Sequence, residues 1–403
     1  MGRVGVLRVW LPWLGAVLAT ATAAVAQEPQ TRQGVIEQQQ AERARALTPQ
    51  EPNKGEQIVA RIEGMIIGGG GHWYPFFSNA YAGGGFALGA GYRQYVGPYS
   101  TLAVQGSYSI RGYKRIEALF TAPRLFNRRG ELSIIGGWRE ATQVGFFGLG
   151  MDTSTDDRTN FGFTRPHFSA SLTLRPTRRF LTLGGGLEWT RWSEQPGVGR
   201  YPSIETVYTP ATLPGIGAEP TYVHSHVLAG IDWRTSPGYA RRGGSYTTTL
   251  HDYADRDKAF GFQQIDYELV QHVPILREAW VISLRSYVRT LHGKSGQATP
   301  FFMLPGLGGG SNLRGYSSFR FRDRNGMLLQ AEWRIMANRY MDSAVFYDAG
   351  KVTAHTSDLD FNGLRSNFGF GVRFHSPFTT PLRIDLAKGR EGYVVVFSNV
   401  AVF

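Results

Sequence analysis

The stretch Leu364–His375, LRSNFGFGVRFH, divides by alternation. Leu364, Ser366, Phe368, Phe370, Val372 and Phe374 fall on one side of an extended chain, and Arg365, Asn367, Gly369, Gly371, Arg373 and His375 on the other. Side chains of a strand point alternately to its two faces, so this segment presents one apolar face and one wet face. The split recurs in Met327–Met336, where Met327, Leu329, Ala331, Trp333 and Ile335 oppose Gln330, Glu332 and Arg334. It recurs again where Leu382, Ile384 and Leu386 oppose Arg383 and Asp385. Period 2 alone fits a soluble sandwich, whose apolar face meets a second sheet, as well as a membrane barrel, whose apolar face meets lipid.

The wider sequence decides for the barrel. Residues 1–26 read as a cleaved secretory signal, with Arg3 and Arg8 at a basic start, an apolar run over Val9–Leu18, and Ala24-Val25-Ala26 before Gln27. The 403 residues include 51 glycines and no cysteine, aromatics make up 13%, and the mean hydropathy is −0.23. That composition suits strands and tight turns and is too polar for helical spans; after residue 26 no run of ~18 apolar residues occurs. The missing cysteine excludes disulfides and lipoprotein attachment. A net charge of +12 is scattered through strands and turns rather than gathered on one element, which excludes nucleic acid as a partner. Trp73, Tyr92, Tyr95, Tyr99, Trp189 and Trp192 fall near expected strand ends, where interfacial aromatic girdles sit.

The chain is thus expected to comprise the signal, a Gln-, Glu- and Arg-rich periplasmic lead-in over residues 27–59, partly helical or disordered, and a barrel over 60–403. Sixteen strands are expected. They lie near 60–72, 83–95, 99–110, 112–121, 129–142, 160–175, 179–192 and 220–234, then 243–254, 259–273, 279–292, 325–337, 342–353, 364–376, 381–388 and 393–403. An even number lets an antiparallel barrel close with both ends in the periplasm. Short links such as Arg175–Arg178 mark the periplasmic side, and the long links, 145–157, 193–219 and 293–324, mark the extracellular side.

One extracellular link holds Pro305–Tyr316, PGLGGGSNLRGY. Glycine raises the ordering cost of a segment, so this loop is either mobile or folded inward and pinned, with Arg314 as the pin. Glu332 and Asp348 alternate away from the apolar positions of their strands and so face the lumen, within reach of an inward loop. On residue chemistry alone all three read equally well as ordinary wet lumen residues.

The runs LRGY at 313–316 and FYDAG at 346–350, with the ending GFGVRFHSPFTTPLRIDLAKG and a terminal Phe403, resemble the C-terminal barrel of the BamA/TamA-type outer-membrane assembly and translocation superfamily, also called the bacterial surface antigen family. The resemblance covers roughly 301–403 and, before that, is one of pattern only. It implies an all-β, sixteen-stranded antiparallel transmembrane β-barrel in the bacterial outer membrane, with an inward-folded extracellular loop and a short N-terminal periplasmic segment. It implies that Arg314, Gly315 and Tyr316 form the loop tip, that Glu332 and Asp348 receive it, and that Phe346 and Gly350 complete the strand motif. Family members are thought to open a seam between first and last strands. Gly68, Gly69, Gly70 and Gly71 on the expected first strand and Phe403 on the last are the matching candidates, although glycines there also serve curvature or a bulge. The sequence departs from the family in that 27–59 is too short for even one POTRA module.

The expected function is assistance in inserting or translocating outer-membrane polypeptide or lipid, with outer-membrane lipid, unfolded outer-membrane polypeptide or a separate periplasmic protein as partners. The alternatives are a passive diffusion channel narrowed by the inward loop and, more weakly, a lipid-acting barrel enzyme. No catalytic constellation and no GxSxG elbow occurs, the glycine runs lack the GK[ST] of a phosphate loop, and no cofactor is implied. His224 and His226 share one face of a strand, a metal-compatible spacing, but no third ligand is placed beside them, so no metal is expected.

Overall fold

The computed structural model describes residues 72–398 apart from 179, 277, 339, 376–379 and 381. It is an antiparallel barrel in which each strand pairs with its neighbours in the chain. The first eight strands are β1 (Trp73–Phe76), β2 (Ala87–Val96), β3 (Ser100–Ser109), β4 (Lys114–Arg124), β5 (Gly130–Phe146), β6 (Thr159–Leu174), β7 (Leu181–Arg191) and β8 (Thr221–Asp232). The remainder are β9 (Gly243–Asp255), β10 (Phe262–Ile275), β11 (Trp280–Gly293), β12 (Asn325–Asn338), β13 (Met341–Thr353), β14 (Arg365–Phe374), β15 (Leu382–Gly389) and β16 (Gly392–Ser398). Among the described residues fifteen of the expected strands are found in the expected order, and Trp73–Phe76 and a short strand, Ser193–Pro196, that pairs with β6 are additional. The expected strand near 60–72 lies almost wholly outside the described residues, as do the signal, the lead-in, the glycines at 68–71 and Phe403.

Alternation fixes what each wall residue faces. Outward, Trp333, Val345, Tyr347, Phe368, Phe370 and Leu386 are exposed, a surface suited to lipid. Inward, Gln330, Glu332, Asp342, Asp348, Asn367, Arg373, Arg383 and Asp385 are all buried. Register then sets which inward residues meet. Arg285 of β11 lies opposite Gln330 of β12, Gln330 opposite Asp348 of β13, and Asp348 opposite Asn367 of β14, so one polar row crosses four strands. Among the described residues no helix is long and apolar enough to cross a membrane.

The two rims differ. One carries short turns, such as 97–99 between β2 and β3; the other carries the long loops 147–158, 192–220 and 294–324. On the long-loop rim, side chains from several loops form an apolar cap. Phe301 packs against Phe161 and Phe146 at ring-centroid distances of 4.8 and 5.4 Å, Trp192 against Phe163 at 4.7 Å, and Tyr81 stacks on Phe319 at 5.0 Å. Trp192 was expected in the membrane girdle; it is instead 6% exposed and part of this cap. The tryptophan follows β7 directly, where the chain turns inward over the lumen, so its ring finds Phe163 and Phe302 rather than headgroups. Trp73, Tyr92, Tyr95, Tyr99 and Trp189 are exposed, as girdle residues are.

Candidate functional site

The loop 294–324 folds into the lumen and its tip is Arg314. Positive φ at Gly308 (111°) and Gly309 (106°) turns the chain inward, a conformation that other residues adopt only under strain. A short pairing of Gly306–Leu307 with Phe321–Arg322 closes the base of the loop. Arg322 Nη1 donates to the carbonyls of Phe301 and Phe302, both at 3.1 Å, which ties that base to the apolar cap.

At the tip, Arg314 is fully buried and its guanidinium forms a fork on Asp348, with Nε to Oδ2 at 2.8 Å and Nη2 to Oδ1 at 2.7 Å. Nη1 reaches Glu332 Oε2 at 3.0 Å and Asp385 Oδ2 at 3.3 Å. The flat face of the guanidinium lies 3.4 Å from the centroid of the Phe346 ring, a cation–π contact on the side the carboxylates leave free. The planar fork is why arginine, rather than lysine, suits this position.

The acids are shared. Arg373 donates to Glu332 through Nη2 at 2.7 Å and to Asp385 through Nη1 at 2.6 Å, and Arg383 Nε lies 3.3 Å from Asp385 Oδ2. Asp348 also accepts from Gln330 Nε2 at 3.0 Å and Asn367 Nδ2 at 2.9 Å. Three guanidiniums therefore face three carboxylates, the six side chains each no more than 3% exposed. Neutrality is the condition for burying so many charges, since one unpaired ion in a dry environment costs several kcal/mol.

Space for the cluster comes from glycine. A Cβ on Gly315 would lie 2.5 Å from Asn367 Cβ and 2.8 Å from the Gly389 backbone nitrogen, so the tip can sit against β15 only as glycine. A Cβ on Gly369 would strike the Phe346 ring at 2.3 Å, and one on Gly371 would strike Asp385 Oδ1 at 2.0 Å. A Cβ on Gly350 would meet the Met327 carbonyl oxygen at 2.7 Å and Leu307 Cδ1 at 2.9 Å. Tyr316 donates its hydroxyl to the Ser366 carbonyl at 3.1 Å and packs edge-on to Phe321.

Arg314, Gly315, Tyr316, Glu332, Phe346, Asp348 and Gly350 thus lie in one buried assembly. Gly68–Gly71 and Phe403 lie outside the described residues. Reading by alternation put Arg373, Arg383 and Asp385 on wet faces but did not connect them to Arg314. The usable signal was the pair of glycines, 369 and 371, opposite the large aromatic residues of β14. His224 donates to or accepts from His251 at 3.0 Å and stacks on Tyr253 at 4.1 Å, so its ring is held by lumen neighbours.

A second inward fold closes toward the other rim. The turn 233–242 between β8 and β9 carries Tyr239, which is buried, stacks on His375 at 3.7 Å and hydrogen-bonds Asp342 through its hydroxyl. Arg241 Nη2 reaches Asp342 Oδ1 at 3.2 Å, and Arg334 of β12 donates to the Ala240 carbonyl. On the long-loop rim, Glu194 in the short strand Ser193–Pro196, which pairs with the end of β6 within the β7–β8 connection, is the titratable group to note. Burial pushes its carboxyl up to about 7, against the opposing effect of the Gly217 N–H that donates to it at 2.7 Å.

Residues 230–393, which contain the whole charge cluster, match the Omp85 superfamily domain. No curated protein matches the sequence. Among solved structures, BamA from Haemophilus ducreyi lacking POTRA domains 1-3 is similar with a TM-score of 0.59 at 15% identity, over 81% of this chain and 68% of that one. CdiB from Escherichia coli is similar with a TM-score of 0.54 at 12% identity, over 82% of this chain and 61% of that one, so this chain spans less than two thirds of CdiB. At such identities the likeness is one of fold. Residues 230–393 carry the Omp85 superfamily domain, and the fold is an outer-membrane β-barrel similar to that of BamA.

Proposed function

We propose that this barrel assists the insertion or translocation of outer-membrane polypeptide or lipid by acting through its wall, without catalysis. The observation that carries this reading is the filled centre. The Arg314 tip is locked to β12, β13 and β15, the apolar cap lies above it, and the Tyr239 turn reaches inward from the opposite rim. A centre so occupied favours traffic along the wall over steady diffusion through the lumen, and in this reading the moving part is the seam between the first and last strands. Export through the signal over residues 1–26 and a separate periplasmic protein that delivers substrate belong to the same proposal.

The test uses the absence of native cysteine, since an introduced pair is then the sole thiol chemistry in the chain. A disulfide joining the first and last strands should block folding of a client barrel in proteoliposomes and release it on reduction. Full activity with the disulfide closed would refute seam opening. Planar-bilayer recording tests the channel alternative: large, steady conductance from the wild type would favour a diffusion pore, and small, erratic conductance the filled barrel.

A further inference from the structure

The short-turn rim is electrically lopsided. Along the β8–β11 side each described arginine near the rim has an acid: Arg234 with Asp232 at 2.8 Å, Arg241 with Asp342 at 3.2 Å, and Arg242 with Glu278 at 3.7 Å. Along the β4–β7 side Arg124, Arg128, Arg129, Arg175 and Arg178 are all exposed, and among the described residues two acids lie near them: Glu131, 3.7 Å from Arg175, and Asp232, which Arg234 already engages. The two turns that carry them touch, Arg175 N donating to the Arg129 carbonyl at 2.6 Å, so the five charges form one patch rather than two.

The setting of the patch says what covers it. Phe126 and Phe180, 65% and 53% exposed, project from the same two turns, and the Arg124 guanidinium lies 3.8 Å over the exposed Tyr99 ring of the neighbouring turn. Outward Leu102, Leu183, Leu187 and Trp189 continue the apolar surface up the wall. Aromatic rings between an apolar band and a row of cations have the profile of a membrane interface at headgroup depth. Phe126, Asn127 and Arg128 all have positive φ, a run of left-handed residues that turns Phe126 out from the barrel end instead of packing it.

We infer that this arginine patch on the β4–β5 and β6–β7 turns binds the headgroups of anionic phospholipids in the periplasmic leaflet, and so ties one side of the barrel to that leaflet. The inference rests on the outer-membrane orientation, with short turns in the periplasm, and is independent of whether the barrel acts in assembly. Guanidinium offers paired N–H donors that match phosphate oxygens, and a patch in which arginines outnumber acids keeps most of those donors available.

The test is native mass spectrometry of the purified barrel incubated with equal amounts of phosphatidylglycerol and phosphatidylethanolamine. Wild type should retain phosphatidylglycerol preferentially. The variant R124Q/R128Q/R129Q/R175Q/R178Q should lose the preference by about tenfold or more, since each surface arginine near an anionic bilayer contributes roughly fivefold. The long-loop variant R256Q/K258Q/R324Q, at exposed positions on the other rim, should keep it. Heat-modifiable migration checks folding; if the fivefold variant does not fold, R124Q/R128Q/R129Q and R175Q/R178Q each carry the comparison separately. No preference in wild type, a preference that survives in the patch variants, or an equal loss in the long-loop variant overturns the inference. Capture of an acidic periplasmic protein without any lipid preference would assign the patch to that protein and overturn it equally.

Discussion

Replacing Arg314 with alanine turns a balanced cluster into one with an unpaired negative charge. The mutation leaves Asp348 without its fork and Glu332 and Asp385 to share Arg373 and Arg383, in a place where none of the side chains is more than 3% exposed. Breaking a buried pair from one side costs about 3–5 kcal/mol, far more than the ~0–1 kcal/mol of an exposed pair. Loss of the contact with the Phe346 ring adds to that, so about 4 kcal/mol is the working figure for R314A. The origin of the loss is separable. If stranding of Asp348 dominates, Asp348→Asn in the R314A background should restore part of the stability, giving a non-additive cycle with a coupling of about 2–3 kcal/mol. The assay is urea unfolding in lipid vesicles, with proteolysis of the loop 294–324 as a local readout. Unfolding curves displaced by less than about 1 kcal/mol, with the loop still protected, would mean that water already screens the cluster and would refute the argument. Strict additivity of the two substitutions would refute the stranding mechanism specifically.

Other expectations follow from single contacts. Gly315→Ala should destabilise by about 1–3 kcal/mol in the same assay, because its Cβ meets backbone that has no room to yield, whereas Gly217→Ala meets nothing within 4 Å and bears mainly the strain of its positive φ. Tyr239→Phe removes the hydroxyl from Asp342 but keeps the ring on His375; a loss of about 1–3 kcal/mol and faster cleavage of the turn 233–242 are expected, and an unchanged turn would show that stacking alone holds it. Because the Glu194 carboxyl is pushed up to about 7 by burial, the folded β7–β8 loop binds its proton more tightly than the unfolded chain does. Its contribution is most favourable at low pH and declines as pH rises from the ordinary carboxylate range to about 7, so loop proteolysis should increase over that window and Glu194→Gln should flatten the profile. A profile identical in wild type and E194Q would assign the pH response elsewhere.

Strand number, strand order and the inward side of each strand were legible because alternation is a local property: Glu332 and Asp348 face the lumen by parity alone. The same rule placed Arg373, Arg383 and Asp385 on wet faces, yet parity does not say which lumen residues meet across a barrel. Arg373 of β14 reaches past β13 to Glu332 of β12, and that reach depends on glycines whose missing side chains leave the path open. Trp192 failed for a related reason. Its position near a strand end resembled a girdle residue, but the direction of the chain after β7 is set by a loop whose partners, Phe163 and Phe302, lie 29 residues before it and 110 after it. The inward turn at 233–242 gave no sign in composition, since its Tyr239 is stabilised by Asp342 and His375, both more than 100 residues away.

The charge cluster also keeps time. Arg314 belongs to a loop that is synthesised and threaded before β12, but one of its acids, Asp385, arrives 71 residues later on β15. Until that strand joins the wall, the tip lacks one of its three counter-charges. Full seating of the loop is therefore expected to be a late event, and a chain stalled with its last strands unpaired should display the segment 294–324 to protease. Protection of that one loop reports that the wall has been completed around its far side.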